Sequence, residues 1–325
     1  CTHINTCVQK IILYCIYPRR LLKLSEENTN PTDMQDFLSQ TQQAQPESNP
    51  LSSYMRTPQI YFSLPSKGKY YGVNAIDMPI NGELPVLSMS TRDELILKSP
   101  DALMNGQAVV DVIQHCIPSI KNAWEMPIVD LDAALISIRI ASYGEQMGYS
   151  STCPGCKEFS EYEIDLKNFL QVGIDLSKYE ETIEFKDLKI KLKPQSFKSS
   201  NATNLEVFEQ QRLLAVVNDE SLDSEQKQDK FNVIFQKMTS LTVRNIIGSI
   251  EYILLPDGTR VTNTGFIDDF ITNSDRSVFE TIEKHQASIN EQMPNKTVKT
   301  TCPDCNKEYE TPFTFDQSNF FALAS

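Results

Sequence analysis

Four of the chain's eight cysteines fall in two near-identical stretches. The first is Ser151-Thr152-Cys153-Pro154-Gly155-Cys156-Lys157-Glu158-Phe159 and the second is Thr301-Cys302-Pro303-Asp304-Cys305-Asn306-Lys307-Glu308-Tyr309. Both read Thr-Cys-Pro-x-Cys and then Lys-Glu-aromatic, with Asn306 as one extra residue in the second. Alternation follows each, through Tyr162, Ile164 and Leu166 and through Phe313 and Phe315. A tight Cys-x-x-Cys turn that opens a strand is the shape of a zinc knuckle. Two of them supply Cys153, Cys156, Cys302 and Cys305, the four thiolates of a closed tetrahedral Zn2+ site. The proline sets φ in each turn, and Gly155 or Asp304 tolerates the tight backbone around the sulfurs.

Other chemistry can be written for such pairs. A redox dithiol lowers its thiolate pKa by opening a helix, whereas both pairs here run into strand-like alternation. A disulfide needs an oxidising compartment, which nothing else in the chain suggests. Two unconnected pairs would leave the repeat of the flanking residues unexplained. The pairs of a zinc ribbon are usually about 12–20 residues apart, but here the gap runs from Cys156 to Cys302. A whole subdomain must sit between the knuckles, so the metal would act as a clasp.

The elements that must hold this clasp are read from composition and pattern. A length of 325 residues predicts two domains or one elaborated domain, and 40% hydrophobic residues is enough for a packed core. The net charge of −13 makes a general phosphate-binding surface a poor expectation. No stretch approaches the roughly 20 apolar residues that span a bilayer, so no membrane partner is expected. The remaining cysteines lie at 1, 7, 15 and 116, a distribution expected of reducing cytoplasm. Residues 1–33 read as translated upstream sequence, with Met34 or else Met55 as the expected start and a fragment of a longer protein as the alternative.

Residues 34–57, rich in Gln, Ser, Asn and Pro, predict a flexible arm. Order is expected from Gln59–Leu64 as a strand, through a turn at Pro65–Tyr71 into a second short strand, with a hairpin-type turn at Asn81-Gly82 before Leu84, Val86 and Leu87. Thr91-Arg92-Asp93-Glu94 reads as a capping box for a short helix that Pro100 stops. Gly106–Cys116 predicts a further helix, and Ala133–Ala141 a buried central one, with Arg139 at the core edge turning its head outward. A hairpin is expected from Thr182–Phe185 and Leu188–Lys193, then helices over 198–217, through Phe231–Met238 and over 275–290. Thr242–Leu255 begins in a helix period and ends as a strand, and the aromatic tail Phe313, Phe315, Phe320, Phe321 predicts either packing on the ribbon or a docking peptide.

The fold class that results is α+β. A small β-rich N-terminal portion with helices spans 58–150, and a zinc ribbon with its helical insertion spans 151–325. The ribbon is built from 151–166 and 297–316, around an insertion at 167–296.

No Gly-rich phosphate loop, His-Glu-x-x-His or Gly-x-Ser-x-Gly occurs. His115 and His285 stand singly on helices and read as ordinary helix-face residues, and His3 lies in the leader. A four-thiolate zinc site leaves no coordination position for water. The chain is therefore expected not to be an enzyme, and no catalytic residue is assigned.

The stretch Phe62-Ser63-Leu64-Pro65-Ser66-Lys67-Gly68-Lys69-Tyr70-Tyr71, continued by Met89-Ser90-Thr91-Arg92-Asp93-Glu94-Leu95 and the Ser99-Pro100-Asp101-Ala102-Leu103 and Gly106 region, resembles the T4-type baseplate hub subunit family of contractile-tailed bacteriophages. The resemblance is clearest over residues 58–160. It implies a late structural or assembly protein of the viral tail baseplate, built in the host cytoplasm, with other hub proteins or the tape-measure protein as partners. The alternatives from other classes are a zinc-ribbon nucleic-acid-binding protein and a dithiol redox protein. Around the knuckles, Lys157 and Lys307 are outnumbered by Glu158, Glu161, Glu163, Asp304, Glu308 and Glu310, which would repel phosphate. Nucleic acid is thus not the expected partner.

Overall fold

The computed structural model describes residues 51, 54–99, 105–171, 174–217, 224–293 and 297–313. The chain divides into two units, Cys1–Met55 and Arg56–Ser325, and the strands and helices named here all lie in the second. The expected leader, most of the arm, Pro100–Leu103 and the tail residues Phe315, Phe320 and Phe321 lie outside the described residues.

Strand β1 (Pro58–Ser63) pairs antiparallel with β2 (Glu83–Leu87), which sets Phe62 opposite Leu84 in the core. Helix α1 (Thr91–Leu97) begins one residue earlier than the predicted box. The Ser90 hydroxyl accepts from the Asp93 N–H at 3.3 Å while the Asp93 carboxylate accepts from the Ser90 N–H at 2.8 Å. That reciprocal pair satisfies two otherwise orphan donors at the helix start. Helix α2 (Gln107–Cys116) buries Val109, Val110, Val112, Ile113 and Cys116.

Helix α3 (Ile128–Tyr143) carries the first core. It is apolar on most sides because it is covered on most sides. Leu135 and Ile138 are almost fully buried, and each contributes about 2 kcal/mol by leaving water. Arg139 is the exception to the expected pattern. It is only 3% exposed, with its guanidinium carbon 5.4 Å from the Tyr143 ring centroid, rather than turned out to solvent. The turns of α3 around it, Ala134–Ile140, are buried, so its head stays inside.

The turn after β1 is docked on this helix. The Ser66 N–H donates to Asp130 Oδ1 at 2.8 Å and the Ser66 hydroxyl to Asp130 Oδ2 at 2.5 Å, both buried, at the first turn of α3. Gly68 is required there. Its φ is +78°, and a Cβ would stand 2.6 Å from Met78 Cγ.

After α3 come β3 (Gln146–Thr152) and β4 (Phe159–Asp165), an antiparallel hairpin. Short helices α4 (Lys167–Gln171) and α5 (Ser177–Glu180) follow. A four-stranded antiparallel sheet then forms in the order β5 (Thr182–Phe185), β6 (Leu188–Leu192), β7 (Ile250–Leu254), β8 (Arg260–Val261). Between β6 and β7 the chain leaves and returns through two long helices, α6 (Phe197–Val217) and α7 (Ser224–Ser249). The ambiguous stretch after Thr242 resolves as its period suggests, helix to Ser249 and strand from Ile250. Helices α8 (Thr264–Asn273) and α9 (Arg276–Gln292) cover the sheet, and Ile183, Ile190, Ile246, Ile253, Ile267 and Ile282 form a second core beneath them. Last comes the hairpin β9 (Thr297–Thr301) and β10 (Glu308–Pro312).

Helices and antiparallel sheets thus make up the regular structure of the described residues, the mixture the chain's patterning predicts. The first core draws on both ends of it: Phe62, Leu84 and Ile138 share it with Met147, Ile164 and Leu166 and with Val298 and Phe313.

Candidate metal centre

Each cysteine pair sits in the bend of one hairpin, β3–β4 or β9–β10, and the two bends are built alike. In the first, the Cys153 N–H donates to the Glu158 carbonyl at 2.9 Å and the Lys157 N–H to the Cys153 carbonyl at 3.0 Å. In the second, the Cys302 N–H donates to the Lys307 carbonyl at 3.0 Å and the Asn306 N–H to the Cys302 carbonyl at 3.0 Å. Lys157 and Asn306 are therefore equivalent, and both have positive φ, 68° and 55°. The strand pairs that flank the bends agree: Thr152 faces Phe159 and Thr301 faces Glu308. The Lys-Glu-aromatic similarity in sequence is out of step with the geometry by one residue. No residue is inserted in the second turn.

The two bends meet. All four Sγ atoms of Cys153, Cys156, Cys302 and Cys305 lie within 4.8 Å of one another. Cys153 Sγ is 3.7 Å from Cys305 Sγ, and Cys156 Sγ is 3.5 Å from Cys302 Sγ. A disulfide would hold two sulfurs at about 2.05 Å. A tetrahedral zinc with Zn–S of about 2.3 Å sets its sulfurs about 3.8 Å apart. The cluster matches the second spacing, and it is a group that could hold a metal ion.

Backbone donors act on the two sulfurs of the first pair with opposite net outcomes. Backbone N–H groups of Cys156 and Gly155 draw the Cys153 thiol down to about 6, the Gly155 N–H lying 3.3 Å from its sulfur. At Cys156 the Glu158 backbone N–H acts in the same sense, but burial and the neighbouring thiols outweigh it and push that group up to about 12. Four thiols at this spacing lose their protons together with the binding of a cation, because each added thiolate repels the others until a metal neutralises them. Cys153 and Cys302 are buried and Cys156 and Cys305 lie at the surface.

Below the sulfurs a patch of hydroxyls joins the hairpins. Ser151 Oγ is 3.0 Å from Thr311 Oγ1, the Tyr309 hydroxyl donates to Ser151 Oγ at 3.3 Å, and the Tyr162 and Tyr309 oxygens are 3.2 Å apart. Lower still, Phe313 stacks on Phe169 with centroids 4.9 Å apart and meets the edge of Tyr149 at 5.8 Å. Phe313 accordingly packs on the hairpins, one of the two expectations for the aromatic tail. No backbone ladder joins the hairpins, since β3–β4 and β9–β10 are separate sheets. Sulfurs, hydroxyls and aromatic rings make the junction. Of these, the sulfurs and Phe313 carried a sequence signal and the hydroxyls did not, because alternating Ser, Thr and Tyr on exposed strands looks the same whether or not it meets a partner.

The two histidines are less isolated than expected. His115 Nδ1 lies 2.8 Å from Asp93 Oδ1, and Arg56 donates to Asp93 Oδ2 at 3.0 Å. Burial opposes charge on Asp93, yet the Ser90, His115 and Arg56 donors hold its carboxyl below the usual range. His285 Nε2 donates to the Lys178 carbonyl at 3.1 Å. Both contacts tie elements together. Among the described residues, no helix is long and apolar enough to cross a membrane.

The sequence matches the T4 bacteriophage base plate protein family over residues 57–322. No curated protein matches it. No solved structure matches it either.

Proposed function

Since the chain belongs to the T4 bacteriophage base plate protein family, we propose that it is a non-enzymatic structural or assembly subunit of the baseplate hub. In this reading it binds other hub proteins or the tape-measure protein, and a structural zinc clasps its two distant hairpins into a ribbon. The match over residues 57–322 places the protein in the tail baseplate and supports a structural role. The hub assignment rests on the Leu64-Pro65-Ser66-Lys67-Gly68 stretch and its continuation. The observation that carries the clasp is the sulfur spacing of 3.5 and 3.7 Å across the hairpins. Zinc would be held by Cys153, Cys156, Cys302 and Cys305, would leave no open position for substrate, and would supply folding energy rather than catalysis.

The clasp is tested by metal content of the purified protein beside a Cys302→Ser, Cys305→Ser variant. About one zinc per chain in the parent, as a closed site requires, and none in the variant is the expected result. No zinc in freshly reduced parent protein would remove the clasp and return the dithiol reading. The hub role is tested separately, by co-expressing the chain with the hub and tape-measure proteins of the same phage. A complex that survives gel filtration supports it, and separate elution of every component counts against it.

A further inference from the structure

Past the end of β6, beside the end of α7 and the last turns of α9, lies a cavity of about 240 Å³ at the seam between the two cores. Ile128, at the start of α3, reaches it from the first core, and Leu192 and Ile289 reach it from the second. Four polar side chains on its wall, Tyr179, Lys193, Gln195 and Asn290, make no side-chain hydrogen bond or ion pair with any described residue. Ser249 and Gln286, also on the wall, are satisfied by each other, the Gln286 amide donating to Ser249 Oγ at 2.6 Å.

The charge is unbalanced. Lys186, Lys189 and Lys191, on and beside the same hairpin, pair with Asp275, Glu184 and Glu180 at 3.1, 3.5 and 3.6 Å. Lys193 has no such partner, and no carboxylate lines the cavity. A half-buried cation with no carboxylate beside it, set among amides and a phenol on a mostly polar wall, is arranged to meet an oxyanion. Its volume falls below the roughly 300–1,000 Å³ of drug-sized ligand sites. It corresponds to about eight waters at about 30 Å³ each. One tetrahedral or planar oxyanion with part of its hydration fits.

We propose that this cavity binds a single oxyanion, a phosphate or a carboxylate, with Lys193 as its counter-charge and Tyr179, Gln195 and Asn290 as hydrogen-bond donors. Bound there, the anion touches residues of both cores and braces one against the other. The site is independent of the cysteine cluster and of the hub reading.

Calorimetric titration of the full chain with sodium phosphate and, separately, with sodium glutarate tests it, each at an ionic strength held constant with chloride. Saturable one-site binding of at least one anion is expected. Lys193→Met, which keeps the apolar stem, should weaken it at least tenfold, and Lys193→Arg should stay within about threefold. Asn290→Asp, at an exposed position, puts a carboxylate on the wall and should abolish binding even if Lys193→Met does not fold. Binding of phosphate alone identifies a phosphate ligand, and binding of glutarate alone identifies the carboxylate of a metabolite or partner side chain. The proposal fails if neither anion saturates, or if Asn290→Asp binds as the parent does.

Discussion

Lys157 and Asn306 hold the same left-handed position in two turns that lie far apart in sequence and meet in the fold, with φ of 68° and 55°. Each is the residue after the second cysteine of its pair, where the chain must reverse into the outgoing strand. The left-handed region costs an L-residue roughly 1–2 kcal/mol, which glycine escapes and asparagine partly escapes.

Lys157→Gly should therefore stabilise the protein by about 0.5–1 kcal/mol, after the extra freedom of glycine in the unfolded chain is subtracted. Lys157→Val should cost about 1–2 kcal/mol, since a β-branched side chain tolerates this conformation least. Asn306→Gly should change little. Urea denaturation of the three variants checks the order, and equal midpoints for Gly and Val at 157 would refute it.

The hairpins β3–β4 and β9–β10 share no backbone ladder, so chelation should loosen their junction first. Hydrogen exchange with and without a strong chelator should show faster exchange in Thr297–Thr301 and Glu308–Pro312, while the amides of Ile128–Tyr143 stay protected. Uniform protection in both states would mean that the hydroxyl patch and Phe313 hold the junction without metal.

Asp130 gives the protein a pH dependence of unusual sign for a carboxylate. Burial pushes its pKa up to about 6, against partial relief from the two Ser66 donors. A raised folded-state value means the associated stability is present below about pH 4 and is lost as pH rises through about 6. The full swing is about 3 kcal/mol. Asp130→Asn, which can keep both contacts to Ser66, should flatten the stability curve between pH 4 and 6. Parallel curves for parent and variant in denaturant midpoints would show that Asp130 does not titrate in this range.

Gln210 is buried at 4% exposure on α6, and its Oε1 has no hydrogen-bond partner among the described residues. An unsatisfied buried acceptor costs about 1–3 kcal/mol. Gln210→Met, similar in length and without the amide, should raise the melting temperature by several degrees. A fall would mean that the amide has a role in the α6–α7 hairpin that its described contacts do not reveal.

Much of this protein was legible one residue at a time. The Asn81-Gly82 turn, the alternation of Thr182–Phe185 and Leu188–Leu192, the switch from helix to strand near Ile250 and the two Cys-Pro-x-Cys turns all follow from local backbone preference and apolar period. These act over a few residues and leave their mark in order along the chain. Even the cysteine cluster could be anticipated, because one metal's need for four thiolates links distant positions through chemistry rather than proximity.

What only the tertiary structure decided is the set of pairings that no local rule encodes. Ser66 finds Asp130, Arg56 and His115 find Asp93, and the second knuckle aligns on Lys157 and Asn306 instead of on its repeated Lys-Glu-aromatic letters. Arg139 goes inside because its stretch of α3, Ala134–Ile140, is buried, and Lys193 has no acid beside it because the end of β6 brings it to the seam between two cores. In each case the side chain itself is ordinary. Its role is set by which surface the folded chain brings within about 3 Å of it, the range in which hydrogen bonds and ion pairs act.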